Sequence, residues 1–291
     1  MNSTVKSYIQ LVKLRLTVSV VATSAFGYIL ACKINEPEIW TMAFQWKQFA
    51  GVLLGGLFIV FASNGLNQLI ERDNDGKMQR TNQRPVVAGD IPAAHARIFS
   101  WACFALGVML LAFTTNFTST LLGIVSFGLY VFVYTPMKGM SPLAVMVGAV
   151  PGALPPLIGY TALTGRINEP GMILFLVQFF WQFPHFWAIA WLLHDDYQKA
   201  GYWLLPSGGG RDKKSAYQIL IYTVLLVLIS LMPVYYHHVS TLGLALLLPL
   251  GLFIIWRAFR LFKTLEIREA KKLLYTSLAY TPLVFLTYIL F

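Results

Sequence analysis

Long apolar stretches alternate with short polar segments along nearly the whole chain. A transmembrane helix needs about 20 apolar residues, and nine stretches approach that length. The pattern therefore predicts an all-α, polytopic membrane protein with nine transmembrane helices. The predicted spans are roughly 14–32, 48–70, 96–114, 119–137, 141–163, 171–193, 217–236, 241–259 and 273–291.

The composition indicates the same class of protein. Of the 291 residues, 57% are hydrophobic and only 12% are charged, whereas soluble domains carry roughly 25% charged residues. In a membrane protein, the net charge of +10 indicates on which side of the bilayer the basic residues lie. No nucleic-acid partner is expected. Because no linker or low-complexity segment divides the chain, we expect a single integral-membrane domain over residues 1–291, surrounded by the lipid bilayer.

The basic residues predict the orientation of the chain. With nine spans, nineteen of the 22 Lys and Arg residues fall on one side of the membrane. Cytoplasmic loops carry an excess of Lys and Arg, so this side, with the N-terminus, is predicted to be cytoplasmic. We recognise no cleavable signal or transit peptide at the start of the sequence, and a bacterial-type plasma (inner) membrane is the expected location.

The segment NQLIERDNDGKMQRTNQRP, residues 67–85, is strongly charged and directly follows an apolar run. Its Asn67, Glu71 and Asp75 are spaced four residues apart, so on a helix each lies only about 40° round from the one before. All three then share one face. One interpretation is a solvated helix end. The other is a functional site, because carboxylates near hydrocarbon are costly and usually face a cavity or a partner.

The residue types in this segment suit a site for a metal ion and a diphosphate. Carboxylates are the hard oxygen ligands that Mg²⁺ prefers, and Mg²⁺ commonly bridges one or two of them to substrate phosphates. Arginine holds phosphate oxygens in pairs, and lysine supplies a point charge. The candidate phosphate-binding residues here are Lys77, Arg80 and Arg84.

A second polar stripe lies in QFFWQFPHFWAIAWLLHDDYQ. On one continuous helix, Gln178, Gln182, His185 and Asp196 fall within a narrow arc. A single histidine in an apolar helix is commonly a satisfied core residue, but the two glutamines beside it favour a cavity lining. Asp195 points away from this stripe, as a solvated residue would.

A third candidate is the pair Tyr134 and Lys138 in YTPMK, four residues apart at the predicted end of the fourth span. Anchoring at the membrane interface and snorkelling explain both residue types. A role beside the phosphate site is the alternative.

The chain resembles the protohaem IX farnesyltransferases (haem O synthases) of the UbiA-type membrane prenyltransferase superfamily over about residues 8–210. The resemblance rests on NQLIERDNDGKMQRTNQRP, on QFPHFWAIAWLLHDDYQKAGYWLLP, and on YTPMK followed by SPLAVMVGAVPGALPPLIGY. ERDNDGKMQRTNQRP and PHFWAIA are closer to the haem branch than to the quinone-precursor branch. The resemblance implies nine helices around a central cavity that cytoplasmic loops cap.

The resemblance also implies site residues. Asn67, Glu71 and Asp75 match the first acid-rich motif, which holds Mg²⁺ and the prenyl diphosphate, while Asp196 and Asp195 match the second. Glu71, Asp75 and Asp196 are then the expected metal ligands. Other residues are expected to assist the diphosphate or the haem: Lys77, Arg80, Arg84, Tyr134 and Lys138 on the diphosphate, with Gln182 and His185 on the haem side.

Two positions depart from the superfamily pattern. Glu71 stands where Asp is usual, which keeps a carboxylate. The second motif lacks its usual D-x-x-x-D spacing, because Lys199 and Ala200 follow four residues after the two aspartates. This departure removes a carboxylate that the superfamily pattern would supply for metal ligation on that side, and Lys199 is expected to meet phosphate directly.

The function implied is transfer of a farnesyl group from farnesyl diphosphate to a vinyl group of haem b, giving haem O, with Mg²⁺ as cofactor. A downstream haem A synthase or a terminal oxidase under assembly is a further partner to consider. Three alternatives remain open at this point: prenylation of an aromatic quinone precursor, transport across the membrane, and a haem-binding structural subunit.

Overall fold

The computed structural model describes residues 3–35, 44–208 and 210–291. Within these ranges the regular structure is helical, and nine helices are long and apolar enough to cross a membrane. The prediction of an all-α, multi-pass membrane protein is therefore confirmed. The helices are α1 (Ser3–Leu11), α2 (Leu14–Asn35), α3 (Trp46–Ile70), α4 (Arg72–Asp75), α5 (Pro85–Ala88), α6 (Ala93–Thr114), α7 (Phe117–Gly128), a π-helix (Leu129–Tyr134), α8 (Thr135–Met137), α9 (Ala144–Thr164), α10 (Glu169–Leu192), α11 (His194–Lys199), α12 (Lys213–Ser230), α13 (Met232–Tyr235), α14 (Thr241–Thr264) and α15 (Ile267–Leu290).

The spans agree with the sequence pattern except at their ends. The final span begins at Ile267, several residues before the predicted 273, because the charged residues ahead of the apolar run continue the helix. The short TTNFTS link does separate two spans. It does so because the side chain of Asn116 accepts a hydrogen bond of 3.0 Å from the Ser119 amide and caps α7.

Close helix packing brings the spans together. Helix α2 packs on α9, α9 on α10, and α10 on α12 and α15, while α3 packs on α6. Without a hydrophobic driving force between helices in lipid, small residues allow such close approach. A Cβ on Gly159 would lie 1.9 Å from the Ser24 carbonyl oxygen, so the α2–α9 contact requires glycine there. The central cavity within this bundle stays a prediction.

The fourth span changes from α-helix to π-helix at Leu129 and returns to α-helix at Thr135. A π-helical turn inserts one extra residue into the helical repeat and often occurs at functional sites. The change rotates Tyr134 and Thr135 relative to the preceding turns. Both residues then reach the charged end of the bundle described below.

Candidate active site

Three side chains of the first acidic segment are buried on one side of the chain. Helix α3 ends at Ile70, but the Glu71 amide donates to the Asn67 carbonyl at 3.0 Å and the Asp75 amide to the Glu71 carbonyl at 2.7 Å. The helical path therefore continues past the break. Asn67, Glu71 and Asp75 are buried, whereas Asp73 is exposed, which confirms the prediction that the three share a face.

Basic residues from two other parts of the chain neutralise these carboxylates. Lys138 Nζ lies 2.8 Å from Glu71 Oε1. Arg84 Nη1 contacts Asp75 Oδ2 and lies 4.0 Å from Glu71 Oε2. Since one guanidinium nitrogen reaches both acids, their carboxylates are close together. We call Asn67, Glu71, Asp75, Arg84 and Lys138 the acid–base cluster.

The cluster has a third cation, Lys13, which the sequence reasoning missed. Lys13 Nζ donates a hydrogen bond of 3.0 Å to Asn67 Oδ1. Burial of its ammonium group, followed by repulsion from Arg84 and Lys138, lowers the pKa of Lys13 to about 7. The sequence predicted for Lys13 only that it is one of the basic residues on the cytoplasmic side. The available signal was its position at the very start of the first span, in VKLRL.

The fourth span supplies the polar and aromatic wall of the cluster. Asn67 Nδ2 donates to Thr135 Oγ1 at 3.2 Å, and Lys138 Nζ lies 4.6 Å from the centre of the Tyr134 ring. That ring packs directly over Gly148, where a Cβ would come within 2.6 Å of it. The structure thus brings the predicted pair Tyr134 and Lys138 to the acidic segment, and Gly148 makes room for the ring.

The two carboxylates experience different electrostatic environments. Burial alone would raise the pKa of Glu71, but the charge of Lys138, with Lys13 and Arg84, outweighs it and lowers that pKa. For Asp75, burial is the dominant cause and raises the pKa despite the attraction of Arg84. Glu71 is therefore the better stabilised anion, whereas burial disfavours the charged form of Asp75.

The cluster fits a divalent cation. Asp75 Oδ1 is buried and has no hydrogen-bond partner among the described residues, so one carboxylate oxygen remains available to a ligand. Within the same residues, no group of three or more His, Cys, Asp or Glu side chains surrounds a common point. Two carboxylates with the remaining positions left to phosphate and water are what Mg²⁺ commonly uses. Glu71 and Asp75 are the residues that would hold it.

The second acidic stretch contacts the first through its loop. Asp196 Oδ1 accepts from the Gln79 amide at 3.0 Å, and Oδ2 from the Arg80 amide at 3.3 Å. Lys199 Nζ lies 3.6 Å from Asp196 Oδ1, and the Arg80 guanidinium donates to the Tyr197 hydroxyl at 3.1 Å. Asp196 therefore ties two loops together, and its role as a metal ligand stays a prediction.

The remaining predicted residues of these loops lie at the surface. Asp195 pairs with Arg211 at 3.2 Å and is mostly exposed. Lys77 is exposed, with Nζ 3.4 Å from Asn74 Oδ1. Both lie at the same end of the bundle as the acid–base cluster. Their roles in substrate binding stay predictions.

The polar stripe of the sixth span is partly as predicted. Gln178, Gln182 and His185 are buried on α10, with Gln182 Nε2 donating to the Ala149 carbonyl of α9 at 2.8 Å. The predicted continuation of the stripe to Asp196 assumed one continuous helix, and the structure interrupts that helix, because α10 ends at Leu192 and α11 begins at His194. Asp196 lies on α11, beyond this interruption, where its carboxylate accepts from the Gln79 and Arg80 amides.

A cleft of about 310 Å³ opens beside the cluster. Its lining includes Lys138, Ser141 and Trp203. Since Lys138 also contacts Glu71, this residue belongs both to the cleft and to the acid–base cluster.

Comparison with known proteins identifies the family. Residues 20–285 match the model of the UbiA prenyltransferase family. The chain belongs to the UbiA prenyltransferase family. Within this family it is similar to the protoheme IX farnesyltransferases of Christiangramia forsetii, 40% identical with 99% of this chain and 94% of the relative covered, and of Cytophaga hutchinsonii, 38% identical with 100% and 99% covered. The chain is thus a prenyltransferase, related over its full length to protohaem IX farnesyltransferases.

Solved structures support the UbiA fold. One is described as digeranylgeranylglyceryl phosphate synthase; it aligns with a TM-score of 0.81 at 20% identity and covers 99% of this chain and 98% of its own. Another is a UbiA homologue from Archaeoglobus fulgidus bound to GPP and Mg²⁺, with a TM-score of 0.62 at 15% identity and coverage of 97% and 99%. At these identities the likeness concerns the fold of this UbiA family member.

Proposed function

We propose that this UbiA family member transfers the farnesyl group of farnesyl diphosphate to a vinyl group of protohaem IX (haem b), giving haem O and diphosphate. The observation that carries this proposal is the acid–base cluster at one end of an apolar bundle, in a chain 38–40% identical to protoheme IX farnesyltransferases. A prenyl diphosphate has a charged head and an apolar tail. The cluster suits the head, and the bundle below it suits the tail.

The diphosphate is the leaving group, and its charge must be stabilised as the bond to the allylic carbon breaks. Arg84 and Lys138 approach from two sides, and Lys13 adds a third cation. Preorganised charges that face a developing anion commonly supply the largest catalytic contribution. A Mg²⁺ ion held by Glu71 and Asp75 would further neutralise the diphosphate oxygens as a Lewis acid.

The acceptor reaction then follows from the allylic cation. A vinyl carbon of the haem donates its π electrons to the farnesyl cation and forms the new carbon–carbon bond. Water adds to the resulting cation beside the porphyrin ring and loses a proton, which leaves a hydroxyethylfarnesyl group. We assign the haem side of the site to Gln182 and His185, which lie buried in the bundle.

The surroundings of the reaction follow from the same proposal. We place the acid–base cluster at the cytoplasmic face of the plasma (inner) membrane, because the Lys- and Arg-rich segments meet there. Arg80, Lys77 and Lys199 then lie around the entrance, where their positive charges attract the diphosphate, and Asp195 lies beside them in its pair with Arg211. A downstream haem A synthase or a terminal oxidase under assembly would receive the product.

The test uses the purified protein in nanodiscs with haem b, farnesyl diphosphate and Mg²⁺, followed by mass spectrometry of the extracted haem. We expect a haem that carries the added farnesyl and hydroxyl groups, and its loss when EDTA is present. A parallel reaction offers 4-hydroxybenzoate as acceptor. Prenylation of that acid without modification of haem would contradict the haem assignment, and release of no diphosphate with either acceptor would contradict prenyl transfer.

A further inference from the structure

His185 of the polar stripe contacts the last helix of the bundle. Its Nδ1 lies 3.0 Å from Ser277 Oγ, and both residues are buried. Trp181 stacks on the imidazole, with ring centres 4.5 Å apart, and donates from Nε1 to the Ser277 carbonyl at 2.6 Å. Ser277 thus holds both the histidine and the ring that stacks on it.

The hydrogen bonds around Ser277 determine which imidazole nitrogen carries the proton. Ser277 Oγ donates its only proton to the Leu274 carbonyl at 2.7 Å, and a carbonyl oxygen can only accept. Ser277 Oγ therefore accepts from His185, so the proton lies on Nδ1. Nε2 then carries a lone pair, and none of the residues that the structure describes forms a hydrogen bond with it.

We propose that Ser277 is a positioning residue that holds His185 with its Nε2 lone pair free to ligate the iron of the substrate haem. This inference rests on the proposed function and deepens it by naming how the acceptor is held. A neutral imidazole with one nitrogen fixed by a hydrogen bond is a common protein ligand of iron. The partner on the other nitrogen sets the ring orientation and strengthens the ligand.

The position of His185 along α10 fits such a role. It lies seven residues before the end of the helix at Leu192, which is about 10 Å along the axis at 1.5 Å per residue. An iron bound there would place the porphyrin within the apolar bundle, below the charged end. Ligation by His185 would hold the porphyrin within the bundle, from where a vinyl group at the porphyrin edge could face the allylic carbon of the prenyl chain.

The experiment compares two porphyrins that differ only in the metal. Nanodisc-embedded protein is titrated with iron protoporphyrin IX and, separately, with metal-free protoporphyrin IX, and absorption spectra report both affinity and iron ligation. Ser277→Ala removes the acceptor, and Ser277→Thr restores a hydroxyl. Ser100→Ala is the matched control, because Ser100 is also buried and donates to its own helix, at the Ala96 carbonyl.

We expect a nitrogen-ligated iron spectrum in the wild type. Ser277→Ala should weaken the binding of iron protoporphyrin by about ten-fold or more, as for other residues that orient a metal ligand, and leave metal-free protoporphyrin binding unchanged. Ser277→Thr and Ser100→Ala should resemble the wild type. Equal effects of Ser277→Ala on both porphyrins, or no effect on either, would overturn the inference.

The farnesylation assay keeps this inference separate from the proposed function. If the wild type farnesylates haem and Ser277→Ala binds both porphyrins normally, the role of Ser277 is overturned and the proposed function stands. Wild-type protein that binds iron protoporphyrin through a nitrogen ligand and forms no farnesylated haem would contradict the proposed function and leave the ligation standing.

Discussion

Replacement of Asp75 by asparagine should separate stability from activity. The change keeps the shape of the side chain and removes its charge. Burial raises the pKa of Asp75 despite the attraction of Arg84, so ionisation of this carboxylate is less favourable in the folded protein than in the unfolded chain. Asparagine removes that unfavourable contribution, while the loss of the contact with Arg84 acts in the opposite direction.

The two contributions nearly cancel in the folded protein. Arg84 still has Glu71 at 4.0 Å and is 20% exposed, so it is not left buried without a partner. We expect a change in the free energy of unfolding of at most about 1 kcal/mol, or a few degrees in Tm. Activity should respond differently, because Asp75 is one of the two carboxylates that would hold Mg²⁺. Loss of a positive charge that faces the developing diphosphate anion costs about 10²–10³-fold in kcat.

The assay measures haem farnesylation and thermal unfolding on the same preparations. Asp73→Asn is the matched control, since Asp73 is two residues away on the same short helix and is exposed. It should keep both activity and Tm. Activity of Asp75→Asn close to wild type would refute the assignment of Asp75 to the site, and a large fall in Tm would refute the electrostatic reasoning.

Three further predictions concern residues around the cluster. Gly148→Ala should push the Tyr134 ring aside and lower kcat about ten-fold, with the fold intact. Gly128→Ala is the control and should leave kcat unchanged, because a Cβ there meets nothing within 4 Å. Equal kcat values for the two variants would contradict the role of the Tyr134 ring. Burial lowers the pKa of Lys13 to about 7, and a bound diphosphate should raise that pKa again. The affinity for farnesyl diphosphate should therefore fall as pH rises from about 7 to 9, and Lys13→Met should remove this pH dependence. A wild-type affinity that is independent of pH would count against a role of Lys13 in diphosphate binding. Asp196→Ala should speed hydrogen exchange of the two loop amides that it accepts from by about ten-fold; unchanged exchange with a weakened response to Mg²⁺ would instead favour the metal role.

The sequence predicted the parts of the site that depend on local spacing. Asn67, Glu71 and Asp75 share a buried side because four-residue spacing repeats along any helix. The same reasoning does not extend to Asp196, because it assumed one continuous helix, whereas α10 ends at Leu192 and α11 begins at His194. The interruption is one residue long, and the sequence had no proline or glycine at that point to indicate it.

Residues that join the site from distant parts of the chain were harder to find. Lys13 is 54 positions from Asn67, and Ser277 is 92 positions from His185. A lysine at the start of a span and a serine in an apolar helix are both ordinary in membrane proteins. Only the packing of α2 and α15 against the other helices brings them to their partners.

By itself, the sequence determined the class of this protein, its nine spans and its first acidic face. These follow from local hydrophobicity and helical repeat, because in a bilayer each span must satisfy its own backbone hydrogen bonds. The tertiary structure alone decided which charges neutralise one another, which carboxylate oxygen remains free, and which nitrogen of His185 carries a proton. Those properties depend on distances between side chains on different helices, and hydrophobic periodicity carries no information about them.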